Sequence, residues 1–224
     1  SGRIGREQVH FEAPPSSRVT AEMDALLDWF NARIEPDTLV QAALAHLWFE
    51  TIHPFEDRNG RVGRAIIDLV LARDSGEASR LMRISQRLLE SRDDYYNQLE
   101  GAQHGALDVT QWIVWFIAQV RLACEEASGV VDQSLEKARF WHAHRDKELS
   151  LRQRKMLSVL LDAGPDGFEG GMSTRKYESL TGASRATSSR DLSELEDKGI
   201  LLRAGSGRST RYYLAIPGWG KQSP

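Results

Sequence analysis

Twelve residues connect two apolar stretches of this chain, Val40–Ile52 before and Ala65–Ala72 after. They read His53-Pro54-Phe55-Glu56-Asp57-Arg58-Asn59-Gly60-Arg61-Val62-Gly63-Arg64. The stretch before them carries Ala42, Ala43, Leu44, Leu47, Trp48 and Phe49 and is apolar nearly all round, as in a helix buried in the middle of a domain. The periodicity predicts one helix over about 38–51 and a second over about 61–73. The polar dodecamer is their connection. One titratable His, an acidic pair, a tight Asn-Gly turn and Arg58, Arg61 and Arg64 at a spacing of three point to chemistry on a nucleotide.

The remaining pattern is helical over the first half of the chain. A short extended segment, with Val9-His10-Phe11 closed by Pro14-Pro15, precedes a helix that starts near Thr20. Further helices are expected over about 80–86, 92–101 and 109–128, with Trp112, Ile113, Trp115, Phe116, Val120 and Leu122 in the last. Phe55 is expected to point into the core and fix the loop. A long polar helix, about 130–147, then leads to a different plan. Three helices, near 150–161, 173–180 and 184–198, are followed by β-like runs at 200–203 and 211–215. That order resembles a winged helix, the hairpin-bearing variant of the helix-turn-helix.

Composition removes several classes. A net charge of −3 excludes a surface devoted wholly to nucleic acid but permits a local basic patch. The single Cys124 cannot form an intramolecular disulfide and fits a reducing compartment. No apolar run reaches the ~18 residues of a membrane span and no signal peptide is visible, so a cytoplasmic protein without membrane partners is expected. The chain starts Ser1-Gly2-Arg3 without an initiator Met, which is the start expected of a fragment.

The dodecamer makes chemical sense residue by residue. Positions 58–61 enter the N-terminus of a helix, where free backbone N–H groups and the helix dipole favour phosphate. Asn59 and Gly60 allow the curvature of an anion nest. Asp57 is placed to hold Mg²⁺ against phosphate oxygens. Arg61 and Arg64, one turn apart, can neutralise the outer phosphates with planar forks. His53, with a reference pKa near ~6.5, is the natural base for an attacking hydroxyl.

Seven positions (His53, Pro54, Phe55, Asn59, Gly60, Arg61, Arg64) match the signature His-Pro-Phe-x-x-Gly-Asn-Gly-Arg-x-x-Arg, and the segment thereby resembles the Fic (filamentation induced by cAMP) domain family. Seven specified identities arise by chance roughly once in a billion sites. The resemblance extends over most of residues 7–128, and with the C-terminal pattern it points to the subgroup that ends in a winged helix-turn-helix domain. It implies a mainly α fold: an all-α Fic helical core with a short N-terminal β-hairpin flap, then a small winged helix-turn-helix (α+β) domain. The implied boundaries are a Fic domain over 1–128 (flap about 3–15, motif 53–64), a linker helix over 129–148 and the winged domain over 149–224.

The implied activity is that of a protein adenylyltransferase, or AMPylator. It moves AMP from ATP, with Mg²⁺, to a Ser, Thr or Tyr hydroxyl of a target protein or of the chain itself. His53 would be the catalytic base and Asp57 the metal ligand. Arg58, Asn59, Gly60, Arg61, Gly63, Arg64 and Tyr96 would bind the nucleotide. Val9 and Phe11 of the flap would align the target by strand pairing. The resemblance also implies an inhibitory helix, whose Ser/Thr-x-x-x-Glu-Gly/Asn motif does not occur in this chain; it would lie upstream or come in trans. A homodimer is a further partner the family allows.

One position departs from the signature. Arg58 stands where the family has Gly, and if the backbone there takes positive φ, a Cβ costs roughly 1 kcal/mol. Its cation can also pair with Asp57 or enter the nucleotide site, so reduced activity is expected. The competing reading is a catalytically impaired Fic protein that regulates DNA through the winged helix. Its recognition helix would show Arg185, Thr187, Ser188 and Arg190 to solvent. Its wing would carry Arg203, Arg208 and Arg211 with no acid. Against DNA stand four acids on the same helix, Asp191, Glu194, Glu196 and Asp197.

Overall fold

The computed structural model describes residues 12–32, 37–76, 81–104 and 107–219. Residues 3–11 of the expected flap, Val9 and Phe11 included, lie outside them. The fold is mainly α, with one two-stranded antiparallel sheet near the C-terminal end. Residues divide into two compact units, Ser1–Gly129 and Val130–Pro224.

Unit 1 is built on α1 (Ser16–Asn31), α2 (Thr38–Ile52), α3 (Asn59–Ser75), α4 (Ile84–Glu90), α5 (Arg92–His104) and the first part of α6 (Thr110–Ala143). Helix α1 starts at Ser16, four residues before the expected start, because Pro15 at φ −59° already sets the entry. Asp37 caps α2 by accepting a hydrogen bond from the Leu39 N–H at 2.9 Å. Helix α4 begins only at Ile84, later than the pattern suggested.

The Ala-rich face of α2 lets its neighbours come close. Ala42, Ala43 and Ala45 are fully buried beside Ile67 and Val70 of α3 and Trp112 and Phe116 of α6. Trp112 stacks on His46, 5.9 Å between ring centres, and its indole N–H donates to the Ala43 carbonyl at 2.9 Å. A second, smaller cluster, Leu26, Phe49 and Ile52, joins α1 to the end of α2. Both clusters therefore fix α2 along its length, which sets where its C-terminus delivers the dodecamer.

Helix α6 differs from the expectation of two helices meeting near residue 129. It runs unbroken through Gly129, since a lone helical Gly costs only about 1 kcal/mol against Ala.

Unit 2 takes its first apolar anchor, Phe140, from α6 and continues with α7 (Leu151–Asp162), α8 (Thr174–Thr181) and α9 (Arg185–Asp197). Ser150, Ser173 and Ser184 cap these three helices with their side chains, and Ser150 with Gln153 completes a capping box. Strands β1 (Leu201–Ala204) and β2 (Arg211–Leu214) pair with Leu201 opposite Leu214 and Ala204 opposite Arg211. Met172 adds a two-bond bridge to Tyr212 on the open side of β2. Met156, Leu157, Leu160, Leu192, Leu195 and Ile200 fill the space between helices and sheet.

Candidate active site

Helix α2 ends on His53, whose N–H still bonds the Phe49 carbonyl at 3.0 Å while its own backbone turns left-handed (φ 51°, ψ 54°). A left-handed residue stops the helix without a glycine and projects the exposed imidazole beyond the last turn. The next residues form a closed loop rather than a loose one. Asn59, only 2% exposed, accepts from the Phe55 N–H at 3.0 Å through Oδ1 and donates to the Phe55 carbonyl through Nδ2. Its side chain thus imitates a backbone pair across residues 55–59.

Phe55 itself is a correction. Its ring is 50% exposed, lying against Phe49 at 6.3 Å instead of entering the core. Asn59 braces the loop, so an inward Phe55 is not needed.

Arg58 sits at φ 71°, ψ 10° and precedes α3. The position therefore does require the left-handed region that a Gly occupies without cost. Its N–H donates to Asp57 Oδ1 at 2.7 Å, and its guanidinium stands 3.8 Å from Asp57 Oδ2, both side chains being solvent-exposed. The first rungs of α3 are donated by Arg61 and Val62 to the Arg58 carbonyl, at 3.0 and 3.1 Å. The N–H groups of Asn59 and Gly60 thus lie ahead of the helical ladder, as an anion site needs.

Arg61 is exposed and Arg64 half-buried. Arg64 folds back along α3 until its Nη1 is 3.2 Å from where a Cβ on Gly60 would sit, the direction helical side chains favour. A Cβ on Gly60 would crowd this guanidinium by a few tenths of an ångström. Gly63, named with the nucleotide residues, also serves the packing of α3. It is buried against α2, and a Cβ there would lie 2.2 Å from Glu50 Oε1 and 2.9 Å from two atoms of the His46 ring. Tyr96 is half-exposed on α5, its ring 5.1 Å from Tyr95 and under the Arg92 guanidinium at 5.5 Å.

Two residues beneath the loop, His46 and Glu50, escaped the sequence reading. His46 and Glu50, on α2, and Tyr95, on α5, are buried together, and His46 Nε2 meets the Tyr95 hydroxyl at 2.9 Å. His46 Nδ1 and Glu50 Oε1 have no hydrogen-bond partner. Burial holds the His46 ring neutral, with its pKa pushed down to about 4; the Arg64 charge works in the same direction. Burial also pushes the Glu50 carboxyl up to about 7, against the opposing pull of Arg64. Tyr95 is driven well above the ordinary phenol range by burial and by the Glu50 charge. The signal was in the sequence: two titratable residues four apart in an otherwise almost apolar helix share one face.

Among the described residues no three His, Cys, Asp or Glu side chains converge into a metal cage. Asp57 offers a single exposed carboxylate. That suits Mg²⁺ arriving on phosphate, which takes one or two protein carboxylates and keeps its other ligands from substrate and water.

Residues 2–71 match the Fic/DOC family. The matched span contains α2, the dodecamer and most of α3. Relatives similar to this chain are a probable protein adenylyltransferase of Aquifex aeolicus, 30% identical over 45% of this chain and 29% of that protein, and the protein adenylyltransferase fic-1 of Caenorhabditis elegans, 31% identical over 48% and 21%. The protein adenylyltransferase Fic of Nematostella vectensis is 33% identical over 47% of this chain and 24% of its own length. The chain thus spans less than a third of the length of these relatives. A crystal structure of a Fic family protein from Desulfovibrio desulfuricans is similar over 94% of this chain and 58% of that one, with TM-score 0.51 and 25% identity.

The buried pair yields a pH signature. Glu50, with a folded pKa above its ordinary one, adds stability that is complete below about pH 4.5 and lost as pH rises through about 7. His46, with a lowered folded pKa, adds stability that is complete above about pH 6.5 and lost as pH falls through about 4. Between these limits the two offset each other. In Glu50→Gln only the His46 contribution remains, so stability should fall by about 2 kcal/mol more than in the wild type on acidification from pH 6.5 to 4.5. Urea unfolding at both pH values measures this, and parallel curves would contradict it.

Proposed function

We propose that this chain is a protein adenylyltransferase, transferring AMP from ATP to a Ser, Thr or Tyr hydroxyl of a protein, itself included. The observation that carries the reading is Arg64 folded back onto Gly60 at the open N-terminus of α3, beside the exposed His53 on the preceding helix end. The relatives' names support the same chemistry.

In this reading the triphosphate lies across the first turn of α3. Backbone N–H groups of Asn59 and Gly60 donate to phosphate oxygens, and Arg64 and Arg61 balance the β- and γ-phosphate charge. Asp57 would hold Mg²⁺, which supplies charge neutralisation at the phosphates. His53 takes the proton from the target hydroxyl as its oxygen bonds to the α-phosphorus. The bond from that phosphorus to the bridging oxygen breaks, and pyrophosphate leaves with the electron pair. Tyr96 flanks the nucleotide, and the flap around Val9 and Phe11 aligns the target. The division proposed with this reading is a Fic core over 1–128 and a winged helix over 149–224, linked by 129–148, whose first part continues α6. Control by an inhibitory helix from upstream or in trans, a homodimer and a cytoplasmic location belong to the same reading.

A second reading, duplex DNA binding by the winged helix, gains from one observation. Two of the four acids on α9 that counted against it are engaged inside unit 2. Asp191 is buried, accepting from the Tyr177 hydroxyl at 2.7 Å and from Arg152 at 3.2 Å. Glu194 accepts from Gln153 at 3.2 Å and pairs with Lys198. The exposed positions of α9 are Arg185, Ala186, Ser189, Arg190, Ser193 and Asp197, so its first turns show solvent two arginines and no acid, and its C-terminal end shows Asp197. Ser188, expected on that face, is fully buried with its hydroxyl bonded to the Ser184 carbonyl. Arg203 and Arg208 of the wing are exposed.

Incubation with α-labelled ATP and Mg²⁺ should label protein, and His53→Ala should reduce the rate at least about 100-fold. Equal labelling by both proteins would overturn the assignment of the base. In the same assay Arg58→Gly should raise transfer by freeing Asp57. Its thermal stability should change little, because relief of the left-handed strain is offset by glycine's entropy in the unfolded chain. A lower rate would show that Arg58 contributes to nucleotide binding. For DNA, a gel-shift salt titration should give binding at low salt, with the double variant Arg185→Ala, Arg190→Ala lowering the log–log slope by about 2. No affinity at low salt would remove the second reading.

A further inference from the structure

Arg58 is the one specified position of the dodecamer that departs from the family signature. Its backbone lies at φ 71°, where a Cβ is strained and glycine is not. Asp57 turns both carboxylate oxygens toward this residue. Oδ1 accepts from the Arg58 N–H at 2.7 Å, and Oδ2 stands 3.8 Å from Nε of the guanidinium. Any residue except proline supplies that N–H, so what the arginine adds is the second contact. The pair is open to solvent, with 71% of the Arg58 side chain and 89% of the Asp57 side chain exposed. An exposed pair of this kind is weak by itself and yields to a more highly charged partner. Nε lies on one edge of the planar guanidinium, so Asp57 does not need the N–H donors of the other edge. Next to Arg58, the N–H groups of Asn59 and Gly60 stand ahead of the helical ladder, and Arg64 folds back over Gly60.

We propose that Arg58 lets this site take a nucleoside polyphosphate without a metal ion, its guanidinium bridging Asp57 to the phosphates, and that Arg58 and Mg²⁺ compete for Asp57. The inference rests on the nucleotide reading above and deepens it. A magnesium ion held by one carboxylate and by substrate oxygens joins the two because it attracts both. A guanidinium offers the same two attractions through a planar fork with donors on more than one edge.

The residue at position 58 thus decides what Asp57 does to an incoming phosphate. With glycine there and no metal, the carboxylate would stand beside the phosphates with no cation between them and repel them. With Arg58 the carboxylate is already paired, and the triphosphate meets the guanidinium groups of Arg58, Arg61 and Arg64 around the start of α3. When Asp57 is taken by Mg²⁺, Arg58 loses its partner and is repelled by the added charge, so the two cations exclude each other at this carboxylate. The departure from the signature therefore loosens the dependence of nucleotide binding on metal and raises the amount of Mg²⁺ needed to occupy Asp57.

The test is isothermal titration of the full chain with a non-hydrolysable ATP analogue, in excess EDTA and over a series of Mg²⁺ concentrations. Wild-type protein should bind in EDTA. Arg58→Gly should bind about tenfold more weakly in EDTA and at least as tightly with saturating Mg²⁺, so its gain from metal should be at least about tenfold larger. Half of that gain should need up to about fivefold less Mg²⁺ than in the wild type. Glycine suits the backbone at φ 71°, so the substitution meets no steric objection. Arg58→Lys keeps the charge without the fork, and its affinity in EDTA should stay closer to the glycine variant than to the wild type. Wild-type binding that requires Mg²⁺ overturns the inference while leaving the nucleotide reading intact, as does an equal gain from Mg²⁺ in wild type and Arg58→Gly. Full recovery in Arg58→Lys reduces the effect to net charge and overturns the bridge. Absence of binding both with and without Mg²⁺ overturns the nucleotide reading itself.

Discussion

The crossing of α2 and α3 is where the rest of unit 1 takes its geometry. Gly63 has no side chain, so the first turns of α3 settle directly onto His46 and Glu50. Any Cβ there would enter the van der Waals space of both, and a displaced α3 would carry Gly60 and Arg64 with it. The three buried alanines of α2 and the Trp112 hydrogen bond to Ala43 add to its anchoring. Packing therefore determines the loop from below, and the loop needs only Asn59 to close it from within.

Much of this could be read along the chain because the chemistry is local. His53, Asp57, Asn59, Gly60, Arg61 and Arg64 fall within one turn-to-helix junction, and sequence proximity there is spatial proximity. The positive φ of Arg58 was legible for the same reason: one turn geometry dictates it. What was not legible depends on tertiary choices. Phe55 has the hydrophobicity of a core residue, but the bracing by Asn59 leaves it on the surface. Gly63 was grouped with the nucleotide residues, yet as the fifth residue of α3 it also packs toward α2. His46 and Glu50 were overlooked inside an apolar helix, though their four-residue spacing placed them on one face.

Unit 2 illustrates a related point about charge. Counting acids along α9 gave an ambiguous electrostatic picture, whereas the structure buries Asp191, engages Glu194 in side-chain bonds and leaves Asp197 exposed. Asp191 serves the interior by orienting Tyr177 and Arg152, and Glu194 links α9 to α7 through Gln153. The helices expected over about 109–128 and 130–147 likewise merge into α6, since a long helix absorbs Gly129 at modest cost.

The closure of the loop by Asn59 bears on how the protein ages. Asn59 is followed by Gly60, the dipeptide in which a side-chain amide is most readily lost, through attack by the following backbone nitrogen. Here the amide is buried, and both its atoms are committed to Phe55. The following nitrogen belongs to the first turn of a helix, which holds it away from the side-chain carbon. The bond pair that shapes the loop also shields its most perishable residue. Conversion of Asn59 to Asp would set a carboxylate against the Phe55 carbonyl, replacing a donor with a repulsion. Chemical durability of the loop and its shape thus come from the same two hydrogen bonds.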